Sequence, residues 1–309
     1  MNKYMPEGFL SKGSRNYEYS SSADGLHRAL LDGAIVEAPV VLCDHKMNLH
    51  VRIGAITGII PKEEVCLTKD GEQLKDIAIL TRVGKTVSFK VTGFEQKGDT
   101  VYPILSRREA QRECLECYIK ALAPGDIIPA RVTHVESFGA FVDIGCGIIS
   151  LLSIDSISVS RIAHPEERIS AGDCLYTVVK SIDDRGRVFV SMRELLGNWE
   201  ENAARFTEGQ TVRGIVRSVE SYGIFVELTP NLAGLAEYRD NVKTGQCAAV
   251  YIKSIIPEKM KIKLIIIDHT DSSRLKTPIE YFVDTDKISH ISSWTYSPTG
   301  SNKIIESIF

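Results

Sequence analysis

Two aromatic pairs stand where their spacing gives them a shared task. Phe138 and Phe141 flank a glycine and an alanine in Ser137-Phe138-Gly139-Ala140-Phe141-Val142-Asp143, and Tyr222 and Phe225 hold the same places in Ser221-Tyr222-Gly223-Ile224-Phe225-Val226-Glu227, 84 residues later (138 to 222). Flat rings held in pairs at a surface can stack on unpaired bases, a contact worth roughly 1–3 kcal/mol per base that every base can make. Cations nearby in sequence, Arg131, Lys180 and Arg187 around the first pair and Arg213, Arg217, Lys253, Lys259, Lys261 and Lys263 around the second, could meet phosphate. The plainer alternative is that the rings pack on neighbouring elements and the cations are solvated. Duplication beside a glycine favours binding.

Other chemistries find little support. Cys114-Leu115-Glu116-Cys117 is a CxxC without a second CxxC or a His pair at zinc spacing, so no metal and no cofactor is expected. His45, His50, His134 and His164 have no Ser or Cys nucleophile arranged among them, and Asp183-Asp184 and Glu166-Glu167 suit turns and surfaces, so no catalysis is expected. A net charge of −3 over 309 residues argues against retention on nucleic acid by bulk positive potential, so any such binding must be local. Seven scattered cysteines read as reduced thiols, and no stretch is apolar enough for a membrane span or signal core, which places the chain in the cytoplasm.

The elements that must position the aromatics come in repeats. Pro124-Gly125-Asp126 against Glu208-Gly209-Gln210 has the same 84-residue offset as the aromatic segments (125 to 209), and a fainter copy begins at Asp32-Gly33 without the aromatic element. In the second copy, short Val- and Ile-rich alternating runs broken by Gly, Asp and Pro predict strands over 127–135, 140–144, 149–152, 174–182 and 187–192, with an irregular insert before the fourth. Five strands in so short a span suit a closed Greek-key barrel of the OB type. The fold class expected is mainly β: three tandem OB-fold five-stranded barrels joined by short linker helices. Repeats are expected over 30–107, 124–193 and 207–268, linker helices over 108–123 and 194–206, a loosely ordered segment over 1–29, and a C-terminal extension over 269–309.

Side chains alternate faces along a strand, so Ala140, Val142 and Ile144 share the core side while Phe141 and Asp143 point out. In the third copy Ile224, Val226 and Leu228 face in, and Phe225 and Glu227 face out.

The second repeat also contains a Gly-x-Gly turn, a Leu-Leu-Ser-Ile run, Gly-Asp, and Ile-Asp-x-x-Gly-Arg-x-x-x-Ser. This assembly resembles the RNA-binding S1 motif, in the arrangement of a short bacterial ribosomal protein S1. The resemblance spans most of 30–268, specific in the second repeat, good in the third and weak in the first. It implies binding of single-stranded RNA, often mRNA, in translation or mRNA handling, through Phe138, Phe141, Asp183 and Arg187. Ser153 stands where the family commonly has a histidine. In the third repeat Tyr222 and Phe225 match the aromatics, Lys261 stands for the arginine, and Ile256 replaces the acid. The first repeat resembles the family's leading repeats, which implies docking on the small ribosomal subunit.

The tail, with Tyr281-Phe282-Val283, Trp294, Tyr296 and Ile304-Ile305, is too apolar to be free and is expected to cap the third barrel, although docking on a ribosomal or other protein partner would use the same residues. The rival reading of the whole is a protein-interaction scaffold that touches no RNA, because OB barrels alone do not decide function.

Overall fold

A computed structural model describes residues 3–11, 13–68, 74–98, 100–271 and 278–309. Three closed five-stranded barrels follow one another. The first comprises β1 (Ile35–Cys43), β2 (Leu49–Ile53), β3 (Ile56–Ile60), β4 (Thr86–Lys97) and β5 (Thr100–Ser106). The second comprises β6 (Ile127–Glu136), β7 (Gly139–Asp143), β8 (Ile149–Ser153), β9 (Cys174–Ile182) and β10 (Val188–Ser191). The third comprises β11 (Thr211–Glu220), β12 (Gly223–Thr229), β13 (Leu232–Ala236), β14 (Cys247–Ile256) and β15 (Lys261–Thr270). Each closes in the order first, second, third, fifth, fourth, with the third and fifth strands parallel. This is the OB arrangement expected from the sequence, and closure leaves no sheet edge unpaired.

The cores are the inward halves of the alternating strands. Val36, Leu49, Val51, Ile60, Val87, Phe89 and Leu105 fill the first barrel, and Val216, Ile224, Val226, Ala248, Val250, Ile252, Ile262 and Leu264 fill the third. Ala140, Val142 and Ile144 are buried as their alternation requires. Gly139 and Gly223 allow close strand approach: a Cβ on either would lie 2.5–2.6 Å from a carbonyl oxygen, of Leu152 and Ala236 respectively.

One compact unit comprises 1–122 with 129–131 and 143–149, and a second comprises 123–128, 132–142 and 150–309. In the first, the N-terminal stretch expected to be loose is ordered over its described residues, 3–11 and 13–29. It carries α1 (Ser14–Ser20) and α2 (Ala23–Leu31), the latter capped by Ser22, and Leu26 and Ala29 enter the first core. Buried Glu7 accepts from Nε and Nη2 of Arg107 at 2.7 and 3.1 Å, and Glu37 Oε2 accepts from the amides of Gly8, Leu10 and Ser11. These partners are distant in sequence, so composition alone hid the order.

The linkers differ. α3 (Arg107–Cys117), capped by Ser106, fills most of the first, whereas the second holds only a 3-10 turn, Arg193–Leu195, and α4 (Trp199–Ala203), where Gly197 interrupts. The C-terminal extension reaches further than a cap on the third barrel. Trp294, Tyr296 and Ile305 pack on that core, with β16 (Ser293–Thr295) paired to β17 (Glu306–Ile308), but the extension also meets the second barrel. There Tyr176 N donates to Tyr281 Oη at 2.9 Å, and Ile127 N to the carbonyl of Ser289 at 2.8 Å. No helix among the described residues is long and apolar enough to cross a membrane.

Candidate nucleic-acid interface

In the second barrel the turn from β6 to β7 lifts Phe138 out, 53% exposed, while Phe141 stands half-buried on β7. Their rings meet edge to face, 6.0 Å between centroids at 86°. Tyr222 and Phe225 reproduce this at 6.2 Å and 85°, with Tyr222 68% exposed. Two independent segments therefore build one geometry: a half-buried ring braced by the strand, carrying an exposed ring on its edge.

The face continues across the sheet. In the third barrel Phe225 pairs with Leu235, and Leu235 with Lys263, so ring, aliphatic and ammonium form one outward row over β12, β13 and β15. In the second barrel Leu151, 84 residues before Leu235, pairs with Phe189 on β10. A third ring thus stands where the third barrel has Lys263. The guanidinium of Arg187 lies 6.0 Å from the Phe189 centroid, and its side chain binds Asp183 at 2.7 Å. That backbone-supported pairing holds the Asp183 carboxyl below its ordinary range. Leu151, Ser153, Lys180, Ser181 and Phe189 line a depression of about 290 Å³. Lys180 Nζ and Ser153 Oγ both donate to Ser156 Oγ, at 3.1 and 2.8 Å.

Phe189 was missed by sequence reasoning, which read 187–192 only as a closing strand. The signal was present, since strand alternation puts Phe189 opposite Val188 and Val190. Glu237 was missed too. It follows β13 at the place of Ser153, 84 residues on, and lies 3.9 Å from Lys253. Lys259, Lys261 and Lys263 are exposed on the third barrel, as is Arg213.

Several expected contacts point elsewhere. Asp143 and Glu227 share the strand face of their aromatics but are buried, 2% and 1% exposed, because other segments cover them. Asp143 accepts from the amides of Glu7, Gly145 and Gly147; burial pushes its carboxyl up to about 7, with repulsion from Glu7 adding to the rise. Burial also acts on Glu227, but the guanidiniums of Arg168 and Arg217 outweigh it and hold that carboxyl low. Arg217, expected at the RNA surface, is instead sequestered. Its Nε donates to Glu227 at 2.8 Å, its Nη1 pairs with Glu167, and its side chain is only 7% exposed. Arg131 is likewise engaged, with Nη1 donating to the carbonyl of Glu7 at 2.8 Å.

The first barrel lacks the platform. At the strand positions of Phe141, Leu151 and Phe189 it carries His50, Ile59 and Ile104, with the imidazole 3.3 Å from Asp44.

The family profile described as S1 RNA binding domain matches residues 121–193, the second barrel. Small ribosomal subunit protein bS1 of Staphylococcus aureus (strain COL) is 30% identical over 269 residues, which cover 82% of this chain and 66% of that protein. The bS1 of Staphylococcus epidermidis is 27% identical over 305 residues, covering 90% and 74%. Among solved structures, the chain is similar to a multidomain protein with nucleic acid binding domains from Streptococcus pneumoniae TIGR4, at 17% identity over 76% of this chain and 73% of that one. The TM-score of 0.26 is too low to bear on function. Tandem OB barrels, the S1 profile and the extended identity with bS1 agree, and the chain belongs to the bacterial ribosomal protein S1 family.

Proposed function

We propose that this protein binds single-stranded RNA, mRNA among it, without catalysing a reaction on it, and acts in the cytoplasm in translation or mRNA handling. Bases stack on Phe138/Phe141 and on Tyr222/Phe225, while Arg187, Lys180, Lys253, Lys261 and Lys263 meet phosphates. The carrying observation is the edge-to-face pair repeated in two barrels with its outer ring in solvent. Exposed aromatic pairs of equal geometry are hard to attribute to packing alone and suit stacking on unpaired bases.

A fluorescent single-stranded RNA titrated into the wild type and into Phe138→Ala/Tyr222→Ala tests this. The outer rings brace little of the core, so the variant keeps its fold. Losing two stacking contacts of roughly 1–3 kcal/mol each weakens binding at least about tenfold. Wild-type affinity in a folded double variant refutes the reading.

The first repeat serves docking on the small ribosomal subunit. In support, Val41, Leu42, Leu80 and Val83 are exposed, and the turn carrying Val83 is fastened to β1 by Gly84 N donating to Val40 O at 2.9 Å. Leu42→Asp/Val83→Asp is expected to lose co-sedimentation with the subunit while keeping its affinity for the RNA oligonucleotide.

A further inference from the structure

The insert of the second barrel, residues 154–170, touches both platforms. At its start, Ser156 Oγ accepts from Lys180 Nζ and Ser153 Oγ beside the depression next to Phe189. In its middle, Val159 N donates to Asn231 Oδ1 at 3.0 Å and Ser160 N to the carbonyl of Pro230 at 3.1 Å, which ties it to the turn between β12 and β13. At its end, Arg168 grips Glu227 with both terminal nitrogens, at 2.7 and 2.8 Å, and Glu167 binds Arg217, which itself binds Glu227. Glu227 lies on the same face of β12 as Phe225, two residues and about 7 Å along the strand. The insert thus begins at one aromatic platform and ends beside the other.

We propose that the second and third platforms form one continuous surface for a single RNA strand laid along this insert. Arg161 is the phosphate contact between them, and Arg168, Glu227, Arg217 and Glu167 are positioning residues that hold the barrels in register. Arg161 is exposed and has no ion-pair partner among the described residues. It is the cation of the insert left available, since the guanidinium of Arg168 is buried. A buried Arg–Glu–Arg cluster adds little net stability once desolvation is counted, and removing one partner leaves an uncompensated buried charge, so holding the two elements in register is the role assigned to it here. The C-terminal extension supplies a second fastening. Its Tyr281 is bonded to Tyr176 of the second barrel, while its Tyr296 sits in the third-barrel core and donates to the carbonyl of Asn231 at 2.5 Å.

This inference rests on the RNA reading, and strand length separates the two. Fluorescent oligouridylates of about 6 nucleotides, enough for one barrel, and about 24 nucleotides are titrated into the full chain. The longer strand is expected to bind about 100-fold more tightly than the shorter, because the second contact is made within one complex. Arg161→Ala, a surface change, leaves the short strand unaffected and lowers the logarithmic salt slope for the long strand by about 0.7, the loss of one phosphate contact. Arg168→Met leaves Glu227 paired with Arg217, loosens the joint, and weakens only the long strand, by about tenfold. If Arg168→Met does not fold, Arg161→Ala decides alone. Equal wild-type affinity for the two lengths overturns the continuous surface and leaves RNA binding standing. Long-strand binding and salt slope unchanged in Arg161→Ala, or short-strand binding that falls as much as long, overturns it as well. A wild type that binds neither length refutes the RNA reading itself.

Discussion

The second and third repeats place the same aromatic pair on the same strands, yet surround it differently. The second continues its row with a ring, Phe189, and keeps Arg187 tied to Asp183. The third continues it with Lys263, leaves Lys259 and Lys261 without an acid at the position of Asp183, and sets Glu237 beside Lys253. Under the proposed RNA reading, one surface chiefly stacks and the other combines stacking with charge. A duplicated scaffold has therefore kept its platform and divided the secondary contacts.

The buried acid two residues beyond each inner ring carries the contrast into the interior. Asp143 is pushed up to about 7 by burial, whereas Glu227 at the equivalent position is held low by two guanidiniums. A raised carboxyl contributes stability that is complete below its ordinary value near 3.8 and is lost as pH rises through about 7. A depressed one contributes stability above its ordinary value near 4.5 and loses it as pH falls. Between pH 5 and pH 8 the stability contributed at Asp143 is expected to fall by roughly 2 kcal/mol, because its ionised carboxylate is desolvated beside Glu7, while the contribution of Glu227 holds. Carboxyl carbon shifts followed by NMR decide the matter. A midpoint near neutrality for Asp143 and one well into the acid range for Glu227 sustain the difference, and coincident midpoints erase it.

Exchanging the residue that ends each row tests the division directly. Lys263→Phe should reduce the logarithmic salt slope of RNA binding by about 0.7, and Phe189→Lys should increase it by as much, because one phosphate contact is removed or added. The exchange should also cost the second repeat one stacking partner, so Phe189→Lys weakens binding more at high salt than at low. Slopes that do not move with either substitution would mean that Phe189 and Lys263 lie off the path of the strand.

The sequence made the barrels readable because period-2 alternation survives wherever one face is core. The strand expected over 174–182 is the one observed, bounded by Gly172-Asp173 before it and Asp183-Asp184 after it. The aromatic pairs were legible for the same reason, since Ala140 and Val142 fix which way Phe141 faces. What alternation cannot give is the element that covers an outward face. Asp143 and Glu227 therefore read as solvent-facing and Arg217 as available, although Glu7, Arg168 and Glu167 come from far along the chain to meet them. The order of the described N-terminal residues escapes composition for the same reason, because a polar side chain such as Glu7 finds its partner in Arg107, 100 residues on.

Glu237 marks the smallest and most discriminating difference. Ser153 is neutral where Glu237 places a negative charge, and Lys253, the counterpart of Lys180, answers that carboxylate at 3.9 Å where Lys180 meets only a hydroxyl. Both groups of the Lys253–Glu237 pair are well exposed, so the pair itself is worth little, and its effect is felt through the strand that approaches it. Glu237→Ser would relieve repulsion of phosphate and free Lys253, strengthening RNA binding by about twofold at low salt and leaving it unchanged at high salt, where exposed charges are screened. Fluorescence anisotropy at two ionic strengths reads both limbs. A gain that persists at high salt would identify the effect as shape and not charge, and would remove Glu237 from the account of why the two repeats differ.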